Sequence, residues 1–264
     1  MFICHEIRKS ILRASHISGH GHIPTSFSII EMIWATYSVM QHRAEDPHWA
    51  DRDLFILSKG HAALGYYAVL AHLGYFPTEE LATFGAFQSR LGCHPDRKKV
   101  PGVEACTGSL GHGIGIAVGV ALGQKQLGRP QKTYVLVGDG ESNEGSVWES
   151  VMVAVNCGLD NLTILYDDNR SQTRCLQIQQ PEQCFQAFGA ESLVVDGHDI
   201  EALRAALVQP PTPGKPKALV CKTQKGFGCH SLASDFFAWH RRSPTASELE
   251  ELLAELEATK GVRA

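Results

Sequence analysis

The sequence predicts an α/β domain of the doubly wound class, a mostly parallel sheet with helices on both faces. Two observations lead there. Four apolar runs rich in β-branched residues, at 134–137, 162–166, 193–195 and 218–221, are separated by segments able to form helices. A strand–turn–helix unit stands upstream of them, where Leu54-Phe55-Ile56-Leu57 passes through Ser58-Lys59-Gly60-His61 into an apolar segment over 62–73. The 264-residue chain holds no Pro/Gly/Ser-rich or charged linker that would divide it, so one domain over 1–264 is expected, with a helical tail from about 245.

Each element has its own signal. Ile3, Ile7, Ile11 and Leu12, with charges between them, predict an amphipathic helix over 3–15 that stops near Ser18-Gly19. A Gly/His-rich turn runs to Pro24, and 28–40 reads as a mostly apolar, buried helix. Between Gly108 and Leu127 the repeated glycines predict a helix that another backbone or a ligand can approach closely, with N–H groups at its start open to an anion. Pro210-Pro211-Thr212-Pro213-Gly214 marks a loop before the last strand. Leu249, Leu252, Leu253 and Leu256 predict an amphipathic helix over 247–259.

Composition excludes several classes of function. A formal charge of −4, with 24 Lys and Arg residues scattered rather than grouped, leaves no basic footprint for nucleic acid. Eight cysteines without a C-x-x-C pair suggest neither a zinc site nor a redox motif and read as reduced thiols. The first residues lack the apolar stretch of a signal peptide, and no eighteen-residue apolar window occurs, so a cytoplasmic protein without membrane contact is expected. The thirteen histidines prove little by number alone; their positions must decide.

The strongest local feature is Val137-Gly138-Asp139-Gly140-Glu141-Ser142-Asn143-Glu144-Gly145, directly after a predicted strand. Ligands bind at the carboxyl ends of strands in doubly wound sheets, and paired glycines there admit a phosphate. A bare Asp139 carboxylate would repel a diphosphate, so the combination requires a divalent cation between the two anions. A second strand ends in Tyr166-Asp167-Asp168-Asn169, which puts Asn169 thirty residues after Asp139. If those strands are neighbours, Asp139, the Asn169 amide oxygen and a backbone carbonyl near Ser171 supply hard oxygen ligands for Mg²⁺ or Ca²⁺. Either tripeptide alone reads more simply as a tight turn or a capped strand end; the ordered pair, each after a strand, does not.

Gly-Asp-Gly followed thirty residues on by Asn resembles the thiamine diphosphate motif. The rest of the chain, from Ser18 to about Pro244, resembles the N-terminal, diphosphate-binding domain of transketolases. Ser18-Gly19-His20-Gly21-His22-Ile23-Pro24 is similar to the family's Ser-Gly-His entry, and Asp51-Arg52-Asp53 with Leu57-Ser58-Lys59-Gly60-His61 is similar to its Asp-Arg-Asp and Leu-Ser-x-Gly-His segments. Cys93-His94-Pro95 resembles its Gly-His-Pro. The most discriminating string is Pro101-Gly102-Val103-Glu104-Ala105-Cys106-Thr107-Gly108-Ser109-Leu110-Gly111.

The resemblance implies thiamine diphosphate held through a divalent cation, and transfer of a two-carbon ketol unit from a ketose to an aldose. It implies that His61 and His240 meet diphosphate and substrate, and that His22 and His94 face sugar hydroxyls. Gly108, Ser109 and Leu110 would approach the cofactor near its ring system, Gly138, Asp139 and Gly140 would bind it at the diphosphate, and Glu144 would communicate between the active sites of an assembly. His20 competes with His22 for the substrate-facing role; the register of the following residues favours His22. Two departures from the family pattern bear on substrate preference: His112 stands where Gln is usual, and Arg170-Ser171-Gln172-Thr173-Arg174-Cys175 follows Asn169, with Arg170 and Arg174 read by default as solvated surface cations and alternatively as favouring an anionic acceptor. The carboxylate that activates the cofactor belongs, in this family, to a following pyrimidine-binding domain. An obligate partner subunit carrying that domain is therefore expected, in an assembly with two copies of each chain. An enzyme of a specialised pathway acting on a modified sugar is the alternative; a non-catalytic regulatory homologue would show eroded ligands, whereas Asp139, Asn169 and His61 are present.

Overall fold

In the computed structural model, which describes residues 2–259, five strands form one sheet in the order β1-β2-β3-β5-β4. They are β1 (Leu54–Leu57), β2 (Thr133–Gly138), β3 (Leu162–Asp168), β4 (Glu191–Asp196) and β5 (Lys217–Lys222). All neighbouring pairs are parallel. The four predicted runs are all strands, lengthened at their ends by residues such as Thr133 and Asp168, whose polar side chains the apolar pattern does not mark.

The central strands alternate faces, and both faces are buried. Phe55, Leu57, Leu136, Leu165 and Leu219 belong to one apolar cluster, while Ile56, Val135, Val137, Ile164, Tyr166, Ala218 and Val220 belong to the other. The first cluster is closed by α1 (Phe2–Ser18), α3 (Ile30–Val39), α4 (Ala63–His72), α8 (Ile200–Val208) and α10 (Ala246–Ala258). The second is closed by α5 (Gly113–Gln126), α6 (Gly145–Asn156) and α7 (Pro181–Ala187). A strand covered on both sides needs apolar residues at every position, which is why these runs show no alternation in sequence.

The helix expected over 28–40 begins earlier, as α2 (Ile23–Phe27) followed by α3. Pro24 sits in the first turn of α2, where its fixed φ suits the helix and its missing N–H is no loss. The short helix α9 (His230–Ser234) precedes the loop that leads to α10. A capping box opens α10: Thr245 accepts from the Glu248 N–H, and Glu248 answers the Thr245 N–H at 2.9 Å. Leu252 and Leu256 bury its apolar face in the cluster that contains α1. Residues 260–264 of the expected tail lie outside the described residues.

Strand register positions the site. Leu57 pairs with Leu136, Gly138 with Asp167, and Asp167 with Cys221. The segments leaving β1, β2, β3 and β5 therefore emerge side by side at the carboxyl edge of the sheet, where a crevice is expected in this class. No helix among the described residues is long and apolar enough to cross a membrane.

Candidate active site

Asp139 is the first residue beyond β2, and its N–H donates to the Asp167 carbonyl at 3.1 Å, continuing the ladder. Its side chain is buried, 1 % exposed. Gly140 N–H reaches Oδ1 at 2.6 Å, and the Gln172 N–H reaches Oδ2 at 3.5 Å. No lysine or arginine forms an ion pair with it among the described residues. Burial, followed by the neighbouring Asp167, raises its carboxyl to about 7. The nearby Lys59 charge offsets this only in part.

Asn169 lies two residues past Asp167, and the orientation of its amide is set by three bonds. Nδ2 donates to Asp167 Oδ2 at 2.7 Å and to Ser28 Oγ at 3.1 Å, while Oδ1 accepts the Ser171 N–H at 3.0 Å. Both amide hydrogens are thus committed on the Asp167 side, and the amide oxygen turns toward the same loop that Asp139 meets. Among the described residues no three His, Cys, Asp or Glu side chains gather as a metal site. A cation here would depend on the oxygens of Asp139 and Asn169, the backbone near Ser171 and an oxygen-rich ligand, a donor set suited to Mg²⁺ or Ca²⁺. A buried carboxylate without a direct ion pair beside an aimed amide oxygen fits such an ion.

Three buried residues that were not singled out in the sequence organise this centre. Asp167 accepts from Ser28 Oγ at 2.8 Å, from Asn169, from Thr223 Oγ1 and from Lys59 Nζ. Lys59, 1 % exposed, also donates to Thr25 Oγ1 at 3.0 Å. Gly138 makes room for it, since a Cβ there would lie 3.0 Å from Lys59 Cδ. Lys225, 3 % exposed, donates to Ser171 Oγ at 2.8 Å and approaches His240 Nδ1 at 3.3 Å. It has no carboxylate within ion-pair distance among the described residues, and burial followed by Lys59 lowers it to about 8. An unpaired buried ammonium is costly unless an anion joins it. The signal available in the sequence was position: Lys59 ends the β1 turn and Lys225 the β5 turn, both at the carboxyl edge.

The histidines gather beside these lysines. Ring centroids of His22 and His61 are 5.3 Å apart, those of His22 and His240 5.0 Å, and those of His61 and His240 6.4 Å. His22 adopts φ 63°, and its N–H donates to the His240 carbonyl at 3.1 Å. Its Nδ1 is buried without a hydrogen-bond partner among the described residues. Burial, then His240, Arg241, Lys225 and His94, lower it to about 4. His61 is held well below the ordinary histidine value by burial and then Lys59, and His240 is lowered by burial, then Lys225 and Arg241. The three rings are therefore neutral at physiological pH. Because Lys225 Nζ can only donate, His240 Nδ1 accepts and its proton sits on Nε2.

His94 borders the group. A Cβ on Gly108 would come within 2.8 Å of its ring, so that glycine is required for the ring's position. His20 points elsewhere, edge-on to Phe84 at 6.0 Å and 3.7 Å from Cys93 Sγ. Ser109 is exposed, Leu110 half-buried, and Glu144 exposed at the head of α6; among the described residues no side-chain hydrogen bond or ion pair joins these three to Asp139 or Asn169. Arg170 and Arg174 are exposed, Arg174 stacking 3.7 Å above Phe237.

One expectation is overturned in part. Two N–H groups at the start of α5 are taken by the protein itself: Gly111 N–H donates to Glu141 Oε1 at 2.9 Å and Ile114 N–H to Ser58 Oγ at 3.2 Å. Ser58 in turn donates to Glu141 at 2.6 Å. The protein supplies its own carboxylate there, carried by a 3-10 turn over Glu141–Asn143.

Residues 4–252 match the sequence model of the transketolase thiamine diphosphate-binding domain. The chain is 38% identical over 255 residues to an apulose-4-phosphate transketolase subunit of Actinobacillus succinogenes, covering 94% of this chain and 92% of that one. It is 36% identical over 258 residues to the 6-deoxy-6-sulfo-D-fructose transketolase subunit of Clostridium sp., covering 95% and 94%. The fold superposes on the transketolase of Leishmania mexicana with a TM-score of 0.87 at 32% identity, over 98% of this chain but 41% of that one. A Pichia stipitis transketolase variant gives a TM-score of 0.90 at 28% identity, again over 98% of this chain and 40% of the other. The chain thus spans about two fifths of the length of these solved transketolases and nearly all of the two relatives that are themselves transketolase subunits. It belongs to the transketolase family, as a thiamine diphosphate-binding domain.

Proposed function

We propose that the chain is the cofactor-holding subunit of a split transketolase, a transferase that moves a two-carbon ketol unit from a ketose to an aldose. The carrying observation is a buried carboxylate, Asp139, and a buried ammonium, Lys225, at one edge of the sheet, neither of which forms a direct ion pair among the described residues. A cation–diphosphate pair satisfies both. Asp139, Asn169 and the backbone at Ser171 would hold Mg²⁺ or Ca²⁺, while Lys225, His61 and His240 would meet the diphosphate. Bound thiamine diphosphate supplies an electron sink for breaking and making carbon–carbon bonds.

The chain's own residues bind, orient and handle protons. Neutral His22 offers a buried Nδ1 without a partner, and His240 offers Nε2–H. Such rings can accept a hydroxyl proton or donate to a developing alkoxide near neutral pH. His94 and Gly108 border the same space, and Gly138 and Gly140 keep the turn at Asp139 narrow. Ser109, Leu110 and Glu144 lie outward, suited to contact with the partner rather than with the diphosphate.

A C-terminal transketolase subunit bearing the pyrimidine-binding domain completes the enzyme, in an α2β2 assembly. Relatives of this chain's length that are named as subunits of a transketolase support the partner. Two of them are named for a sugar phosphate and a sulfosugar, which favours a modified sugar with an anionic end as substrate. The experiment is to co-purify both chains and assay ketol transfer with thiamine diphosphate, Mg²⁺ and a panel of ketose and aldose phosphates and sulfonated ketoses. Turnover only with both chains and both cofactors supports the reading; turnover by one chain alone, or none on any sugar, contradicts it.

A further inference from the structure

Outside the site, a chain of polar groups runs from the buried Arg8 of α1 to the exposed Gln224 in the loop after β5. Arg8, in α1, grips Glu31 of α3 with two parallel bonds of 2.7 and 2.8 Å and also donates to the Phe27 carbonyl at 3.1 Å. Glu31 Oε2 meets His198 Nδ1 at 3.1 Å, and His198 Nε2 meets the Gln224 N–H at 2.9 Å. The His198 ring lies flat on Phe227, centroids 3.6 Å apart and planes 11° from parallel. Arg8 approaches the same Phe227 ring at 5.1 Å.

Hydrogen-bond chemistry fixes the histidine's tautomer. A backbone N–H can only donate, so Nε2 carries no proton; a carboxylate paired with Arg8 can only accept, so the proton is on Nδ1. The bonded amide belongs to the residue before Lys225. On the other side of Lys225, Gly226 N–H donates to the Pro24 carbonyl at 3.0 Å. Gly226 has φ 81°, and a Cβ there would meet the Leu232 backbone at 2.7 Å, so the loop cannot relax in that direction. Lys225 is therefore held by its two neighbours' amides, and its Nζ emerges between Ser171 and His240.

We propose that His198, as the neutral Nδ1–H tautomer, is a positioning residue that sets the Lys225 ammonium at the diphosphate end of the site through the Gln224 amide. It touches neither substrate nor cofactor. The inference rests on the reading of Lys225 as a diphosphate contact, and deepens it by assigning a role to a polar relay outside the site.

The test compares His198→Phe, which keeps a ring on Phe227 but loses both hydrogen bonds, with His198→Gln, which retains an acceptor and a donor. Thiamine diphosphate affinity is measured at saturating Mg²⁺ on the complex with the partner subunit. His198→Phe should weaken binding about tenfold in the wild-type background and add nothing to Lys225→Met, while His198→Gln recovers most of the loss. Nitrogen-15 spectra should report the Nδ1–H tautomer for His198, and the Lys225 side-chain carbon shifts should move in His198→Phe but not in His198→Gln. Equal losses with and without Lys225, unchanged affinity in His198→Phe, or an Nε2–H tautomer would each overturn the proposal. Should His198→Phe fail to fold, the His198→Gln affinity and the wild-type tautomer decide. Absence of cofactor binding by the wild-type complex would refute the functional reading instead, and the spectra would then decide the positioning role alone.

Discussion

Asn169 and Asp139, each the first residue beyond one of two neighbouring strands, reach consecutive amides of one loop: Ser171 N–H lies 3.0 Å from Asn169 Oδ1 and Gln172 N–H 3.5 Å from Asp139 Oδ2. The second distance is long for an N–H···O bond, so the Asp139 carboxylate is only partly satisfied. Two oxygens aimed at one place, one of them charged and buried, make a stronger case for a hard cation than the spacing of the motif does.

Lys225 should contribute to anion binding rather than to folding. Charge-assisted hydrogen bonds contribute roughly 1.5–3 kcal/mol, so Lys225→Met should weaken thiamine diphosphate binding by about 10- to 100-fold. Thermal stability should not fall, because an unpaired buried ammonium is removed. Titration calorimetry and a melting curve check both halves; a clear drop in stability with intact affinity would reverse the assignment.

The Arg8–Glu31 pair should dominate the acid side of the stability curve. Arg8 and the His198 bond, working against burial, hold Glu31 at about 2, below the ordinary glutamate value of 4.5. A depressed carboxyl contributes stability that is fully present above the unfolded value and is lost as pH falls through the folded one. Glu31→Ala, which strands Arg8, should cost about 3–5 kcal/mol near neutrality. In denaturant titrations the gap from wild type should shrink below about pH 4.5.

His22 works in the opposite direction. Its folded value of about 4 lies below the ordinary 6.5, so the folded state binds fewer protons than the unfolded state between those limits. Stability from this group therefore rises with pH across that window and is constant above it. Relative to His22→Gln, the wild type should lose stability as pH falls from about 6.5 to about 4. Its ring should show no titration above 6.5 in histidine NMR spectra.

Different parts of this molecule were legible in its sequence for different reasons. The strands were readable because parallel strands buried on both faces carry uninterrupted apolar runs, as Tyr134–Val137 does. Asp139 and Asn169 were readable because each follows such a run and glycines or polar residues mark the turn. Lys59, Asp167 and Lys225 were not, because nothing local distinguishes a lysine that will be enclosed from one that stays in solvent; burial is decided by strand register. The start of α5 misled for the same reason. Its free N–H groups are a local fact, whereas the Glu141 carboxylate that answers them arrives from another segment. The register of the following residues favoured His22 over His20 but said nothing of ring direction; in the fold His22 has a left-handed backbone and a ring beside those of His61 and His240, while His20 packs on Phe84.

The most direct test is thiamine diphosphate binding by the complex of both chains, titrated with and without Mg²⁺, for the wild type and Asp139→Asn. Wild-type affinity should depend on the cation. The variant should lose at least about 10- to 100-fold, the range seen when only outer-shell partners of a metal are removed, and should lose the Mg²⁺ dependence with it. Unchanged affinity in Asp139→Asn, with the same response to Mg²⁺, would contradict the cation bridge between this carboxylate and the diphosphate.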